Sequence, residues 1–370
     1  MKKIVFLLTA HAADDERVWY HQAKSLQNAG GQVFIIAPKT NVVSAPNILL
    51  YESAKYKRVG LMRHLASLLP DLQPDVVIGD TPMAVRAAQI YRRKNKSACR
   101  ILYDVTEWYP SKKNLRWLSG IEKAGKFVAM SVFNWYVNCH TDGFVFGEED
   151  KALPYKRVFP RKSFVNTSYY PDLQYIEAFA PRNLSEDLRL FYSGNLTEEK
   201  GFPNVLKAAV WIARFNPKVS VTLNVFSPDT WAQESSLPEN LKLNITPYQP
   251  FEQFCKLAAE NDVFFDLRST DAENQKCLPI KLFYFMAMGR PVVYSDLKAI
   301  RKGCPEMESF GHLVRPNDAE AIVDIVNAYL KNGDLYRQHC AAARQLAEQK
   351  YNWKAIEADF VRFILQDEQH

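Results

Sequence analysis

Short apolar runs alternate with amphipathic stretches of helical length along the whole chain, and that alternation predicts an α/β architecture built on parallel sheets. In the first half the runs Ile4 to Thr9, Val33 to Ala37, Val76 to Gly79, Ile101 to Asp104 and Gly143 to Phe146 read as buried strands. Between the first two, Val18 to Ala29 predicts a helix stopped at Gly30-Gly31, which completes one βαβ unit. From Tyr169 to Asn183 the pattern lapses into a polar, proline-containing stretch that reads as a linker. A second series follows, with strands expected at Leu188 to Tyr192, Val219 to Phe226, Leu241 to Ile245, Val263 to Leu267, Pro291 to Tyr294 and His312 to Val314. A long helix from Ala319 to Leu330 and an amphipathic helix reaching Leu365 close the chain. The organisation implied is an α/β domain over 1–170, a second over 171–345 and a terminal segment over 346–370. Open α/β sheets bind ligands beyond the carboxyl ends of their strands, so substrates are expected in a cleft between the domains.

A chain of 370 residues exceeds what one hydrophobic core organises, which agrees with two domains. The balance of 47% apolar and 24% charged residues is that of a globular protein. Its six cysteines stand singly, without the spacing of a zinc site or a disulfide framework, and fit a reducing compartment. No apolar run approaches the length of a transmembrane helix. The basic start, the run Ile4 to Leu8 and Ala10-His11-Ala12 have the outline of a signal peptide, but so short a run reads better as a buried first strand. Charge changes the picture further. Residues 1–180 hold 25 Lys and Arg against 16 Asp and Glu, so the first half is the basic half. These cations are spread out and form no nucleic-acid-binding motif, which leaves an anionic membrane surface or a phosphate-bearing acceptor as the partner.

Candidate chemistry concentrates at strand ends. In Leu278 to Val293, Pro279 can start a helix at no cost in hydrogen bonds, Gly289 can stop it, and Pro291 prevents its continuation. Lys281 then stands beside the positive end of the helix dipole, an unfavourable place that favours an anionic ligand. Leu282, Phe283, Phe285, Met286 and Met288 are core residues of the same helix. After the first strand of the second domain, Gly194 lets the backbone approach a ligand, and Lys200 can place its charge on a diphosphate; the same residues would also suit an ordinary turn. Arg268 is a weaker candidate, since it can equally pair with Asp271 or Glu273. In the first domain, His11, Asp15 and Arg17 follow strand one. Helix capping accounts for one of Asp14 and Asp15. Glu107 follows the fourth strand, where it can accept from a ligand's hydroxyls or cap the next helix. Lys112, Lys113, Arg116 and Trp117, with Phe133, Trp135 and Tyr136 further on, interleave cations and aromatics; this composition suits a membrane interface, and core packing explains the aromatics equally well.

These motifs resemble, in order along nearly the whole chain, those of the large family of retaining GT-B glycosyltransferases that builds bacterial surface polysaccharides. Leu278 to Val293 is similar to its donor segment L-P-x-K-L-F-E-Y-M-A-x-G-x-P-V, with Tyr284 in place of the Glu that would hold the nucleotide ribose. Tyr103-Asp104-Val105-Thr106-Glu107 resembles Tyr-Asp-Val-His-Glu, with Thr106 in place of the His near the transferred sugar. In the phosphate loop Asn195 replaces a basic residue, and in the helix after Asp15-Glu16-Arg17-Val18 Gln22 replaces a Glu. The resemblance implies two Rossmann-like domains, with the terminal helix crossing back onto the first. It implies retaining transfer of a sugar from a nucleotide-diphosphate sugar to a glycan or lipid-linked acceptor, without metal or other cofactor, in the cytoplasm or at the inner face of the membrane. Lys200, Lys281 and Glu107 would act in catalysis. Gly194, Asn195, Arg268, Pro279 and Tyr284 would line the donor, and His11, Asp15, Arg17 and Thr106 the acceptor side. Two rivals stay open: a non-catalytic relative serving as a binding or partner subunit, which the four neutral replacements suit, and a sugar-nucleotide epimerase of the same architecture.

Overall fold

The structure, a computed structural model, describes residues 1–40, 46–110, 115, 117–231 and 236–366. It divides into two compact units, Met1–Tyr169 with Ile356–His370, and Tyr170–Ala355. Among the described residues the first unit holds seven strands: β1 (Lys3–Leu7), β2 (Gln32–Ala37), β3 (Ile48–Leu50), β4 (Val76–Gly79), β5 (Arg100–Val105), β6 (Gly143–Phe146) and β7 (Ser163–Asn166). They form one sheet in the order β3-β2-β1-β4-β5-β6-β7, every pair parallel. The apolar run near the start forms β1, an inner strand, with Ile4 to Leu7 buried between β2 and β4.

The second unit holds β8 (Asp187–Ser193), β9 (Ser220–Phe226), β10 (Leu241–Thr246), β11 (Val263–Asp266), β12 (Val292–Ser295) and β13 (Gly311–Val314). Their order is β10-β9-β8-β11-β12-β13, again parallel throughout. Every strand expected from the apolar runs is present. The two added by the structure, β3 and β7, are the edges of the first sheet. Neither has a fully buried residue, so neither carries the apolar signature that marks the inner strands.

Strand order fixes where sites can form. In each sheet the order reverses once, between β1 and β4 in the first and between β8 and β11 in the second. At such a point neighbouring strands send their following loops apart, and a crevice opens at their carboxyl ends. The loops Leu8–Asp15 and Ser193–Gly201 lie there by topology alone.

Candidate functional site

In the second unit the site is built on one buried carboxylate. Asp266 ends β11 and accepts from Arg268 Nε at 2.8 Å, from Arg268 Nη2, and from the Tyr294 hydroxyl of β12 at 2.6 Å. Lys281 Nζ lies 3.2 Å from the same carboxylate and also donates to the carbonyl of Ser193, the last residue of β8. Burial by itself would raise the Asp266 pKa, but the charges of Arg268 and Lys281 outweigh it and hold the carboxyl well below its usual range. Burial, partly offset by Asp266, lowers the Lys281 pKa. Two cations share one anion, so the cluster carries a surplus positive charge.

Lys281 sits in the first turn of the helix Ile280–Ala287, with Pro279 as its N-cap. From Leu282 to Ala287 every side chain is buried, which fixes the helix in the core and aims its amino end at the β8 loop. In the structure Asp266 already offsets part of the charge of Lys281 beside the helix dipole. Arg268 likewise pairs with Asp266 rather than with Asp271 or Glu273. Tyr284 is buried in the core with its ring edge-on to Phe251.

The β8 loop is shaped by its glycines. Gly201 has φ +80°, and a Cβ there would meet the Leu267 carbonyl oxygen at 1.9 Å, so the loop after β8 closes directly on the loop after β11. A Cβ on Gly194 would lie 3.0 Å from the Tyr192 hydroxyl and 3.4 Å from Lys281 Nζ, so any side chain would crowd the ammonium. The Tyr192 hydroxyl bridges the loop, 2.8 Å from the Asn195 carbonyl oxygen and 3.2 Å from that of Lys200. Asp229 secures the other side, accepting from the Leu196 amide at 2.8 Å and from the Asn195 amide group at 3.2 Å. Asn195 is thus tied to an acid that a basic residue at this position would also face. Lys200 Nζ, half-exposed, lies 3.0 Å from Glu199. A groove of about 720 Å³ opens beside this loop, lined by Glu198, Glu199, Ser269, Thr270, Asp296 and Arg315. Another, of about 680 Å³, crosses the β9–β10 face along Asn224 and Asn244 and includes none of Lys200, Arg268 and Lys281 among its lining residues.

In the first unit Asp80, just beyond β4, is the organising acid. It accepts from the amides of Thr9 (2.9 Å), Ala10 (2.9 Å) and His11 (3.2 Å), and from His11 Nδ1 at 3.0 Å. Burial alone would lower the His11 pKa, but the hydrogen bond and charge of Asp80 raise it. Asp15 caps the helical segment that follows, accepting from the Val18 amide at 3.3 Å. That segment begins as a π-helix, Glu16–Ala23, and continues as an α-helix, Lys24–Asn28. Arg17 is buried, with Nη1 2.5 Å from Asp104 on β5, and Gln22 donates to the same carboxylate at 3.4 Å. Thr106 offers its carbonyl to Lys151 at 2.6 Å, while Glu107 is exposed. Lys112, Lys113 and Arg116 lie outside the described residues. Among the described residues, no three His, Cys, Asp or Glu side chains gather as a metal cluster.

Sequence reasoning passed over Asp266, Tyr294, Asp229, Asp80 and Asp104. One signal was available for Asp266 and Asp104: each is an acid inside or at the end of a run expected to be buried, where an unpaired charge is not tolerated. Their partners could not be read from the chain.

Residues 187–332 match the sequence model of the family described as Glycosyl transferases group 1. Over this stretch the chain is similar to group 1 glycosyl transferases. The stretch contains the Asp266 cluster and the β8 loop. A phosphatidyl-myo-inositol mannosyltransferase of Mycobacterium leprae (strain TN) is 39% identical over 83 residues, a match spanning 22% of this chain and 22% of that protein. Sucrose-phosphate synthase from Thermosynechococcus elongatus superposes with a TM-score of 0.70 at 14% identity over 98% of both chains. HepE of Anabaena in complex with UDP-glucose superposes at 0.68 with 12% identity, over 98% of this chain and 99% of that one. Over nearly its whole length, then, the chain has the GT-B fold, with two parallel α/β sheets.

Proposed function

We propose that the chain transfers a sugar from a nucleotide-diphosphate sugar to a glycan or lipid-linked acceptor, with retention of configuration, in surface polysaccharide synthesis at the inner face of a membrane. The observation that carries this reading is the cation cluster at the β8–β11 switch point. Lys281 and Arg268 outnumber their shared acid Asp266, and Lys281 stands against a glycine turn that leaves its ammonium approachable. A diphosphate fits such a surplus, and Lys200 on the same loop would add a further charge. Preorganised cations of this kind stabilise a departing diphosphate without reorganising during the reaction, and the proposal assigns that task to them rather than to a metal. The acceptor would bind the basic first unit, where His11, Thr106 and Glu107 follow strands β1 and β5. The relatives support the donor class: HepE is described in complex with UDP-glucose, and the Mycobacterium leprae protein is named a mannosyltransferase.

Calorimetric titration with UDP-glucose and a panel of other nucleotide sugars, mannose donors included, tests the reading. One donor should bind, and Lys281→Ala should weaken it by at least tenfold. An unchanged affinity in the variant would remove Lys281 from the site. A second reading, a non-catalytic relative, is favoured by the core placement of Tyr284, which offers no carboxylate to a ribose, and by the tie of Asn195 to Asp229. Absence of binding across the panel would decide for it.

A further inference from the structure

The groove on the β9–β10 face takes no part in the proposed transfer. Side chains alternate along a strand, so Val221, Leu223 and Val225 enter the core from β9 while Thr222, Asn224 and Phe226 stand on the other face. The helix Phe251–Ala259 packs on that face through Phe254, against Phe191 and Phe226, and toward the edge strand β10 the groove of about 680 Å³ remains. A row of amides crosses it. Asn261, 2% exposed, donates to the carbonyls of Leu257 (3.1 Å) and Ala258 (2.9 Å). Only its amide nitrogen can donate, so its oxygen faces the other way and accepts from Asn224 Nδ2 at 2.7 Å. That contact orients Asn224 in turn, and its oxygen accepts from Asn244 Nδ2 at 3.0 Å across the paired strands. The buried end therefore sets the direction of the whole row. At the open end Asn244 presents an amide oxygen that meets no donor among the described residues. Asn224 and Asn244 each engage one N–H and keep a second. Thr222 and Thr246 line the same groove, and among the described residues neither hydroxyl has a partner.

We infer that this groove binds a neutral glycan, with Asn244 and Asn224 taking neighbouring hydroxyls of a sugar ring and Leu257 taking the ring's apolar face. The chemistry of the lining selects this occupant. An amide sets a donor beside an acceptor, which matches two adjacent hydroxyls, each able to give and to receive a hydrogen bond. Because the row is held from its buried end, the pair is preorganised and little freedom is lost on binding. Charge argues against an anionic ligand. The charged lining residues are Arg189 and Glu260, one of each sign, and Arg189 already stands 3.2 Å from Asp187. Neither a nucleic acid nor a lipid headgroup finds a surplus there. Leu257 and Phe226 supply apolar surface beside the amides. Ligand pockets span about 300–1,000 Å³, so this groove has room for a short oligosaccharide. A second copy of the chain adding a strand to β10 would pair along its backbone edge and leave the amide row unused. The groove lies on the face of the sheet, whereas Lys200 and Lys281 stand at its carboxyl end, so a glycan held there would tether the chain without occupying the diphosphate site. The inference does not rest on sugar transfer, and its test reads no activity.

An array of immobilised oligosaccharides, neutral and anionic, is probed with the full chain, and the neutral glycan that retains it best is then titrated by calorimetry. Wild type should be retained on short neutral oligosaccharides, with no preference for anionic ones. Asn244→Leu and, separately, Thr246→Val, both half-buried on the edge strand, should each weaken binding about fivefold or more with an unchanged thermal melt. Lys281→Ala should leave glycan affinity as it is in wild type. A chain that bound no nucleotide sugar would still be expected to bind the glycan, so the two readings fail separately. Four results would overturn the inference: no retention on any neutral glycan, wild-type affinity in both groove variants, loss of binding in Lys281→Ala, which would assign the glycan to the diphosphate site, or a solution dimer that Asn244→Leu dissolves.

Discussion

Asp266 shows how one residue organises several others. Its carboxylate is satisfied by a guanidinium, a phenol and an ammonium drawn from β11, β12 and the helix Ile280–Ala287. Asp266→Asn would leave Arg268 and Lys281 without their anion, and breaking a buried pair in this way costs about 3 kcal/mol or more. The pH dependence follows from the depressed pKa. The stability supplied by Asp266 is fully present above its unfolded value of 3.8 and is lost as pH falls toward the lower folded value. Urea denaturation of wild type and variant should therefore differ fully above pH about 5 and draw together only as pH falls below 3.8 toward the lower folded value. Arg290 plays a comparable part away from the site. Wholly buried, it donates to the carbonyls of Asn261 (2.7 Å), Ala259 (3.1 Å) and Phe179 (2.9 Å), which joins the end of the helix Phe251–Ala259 to the segment that opens the second unit. The chain shows an arginine between a glycine and a proline, and nothing local says that it is buried.

At the scale of elements, the loops after β8 and β11 act as a pair. Gly201 is required by contact with the Leu267 carbonyl as well as by its left-handed φ, so Gly201→Ala must push the two loops apart. A loss of about 2 kcal/mol or more in urea denaturation is expected, with weakened donor binding, because the loop carrying Lys200 would move. A melt equal to wild type would show that the loop yields without cost. Inner strands and long helices were legible because their periodicity is a local property. The edges β3 and β7 were not, since an edge strand half open to water loses the apolar run that announces it. The helix Gly120–Cys139 was legible as a helix, but the direction of its apolar face was not: Phe133 packs on the core while Trp135 is 58% exposed. An amphipathic pattern reports that two faces differ, and only the packed neighbours decide which one is covered.

At the scale of the whole molecule, the chain leaves the first unit at Tyr169 and rejoins it at Ile356. The returning helix, Lys354–Leu365, buries Phe360 and Ile364; Glu357 accepts from Ser25 at 2.6 Å, and Arg100 Nη1 lies 2.5 Å from the Phe363 carbonyl. Phe360→Ala should cost about 3–5 kcal/mol. Amide exchange should quicken in β1–β7 and stay unchanged in β8–β13; acceleration confined to the second unit would refute the assignment of this helix. The sequence by itself determined the alternation of strand and helix, the lapse near Tyr169, and the placing of Gly194, Lys200 and Lys281 at element ends, because each depends on periodicity or on residues a few positions apart. Tertiary structure alone decided strand order, the pairing of Lys281 with Asp266, and the outward turn of the apolar helix. Lys281 reaches the Ser193 carbonyl across 88 positions, and a contact of that span exists only once the order β8-β11 has brought the two loops to one end of the sheet.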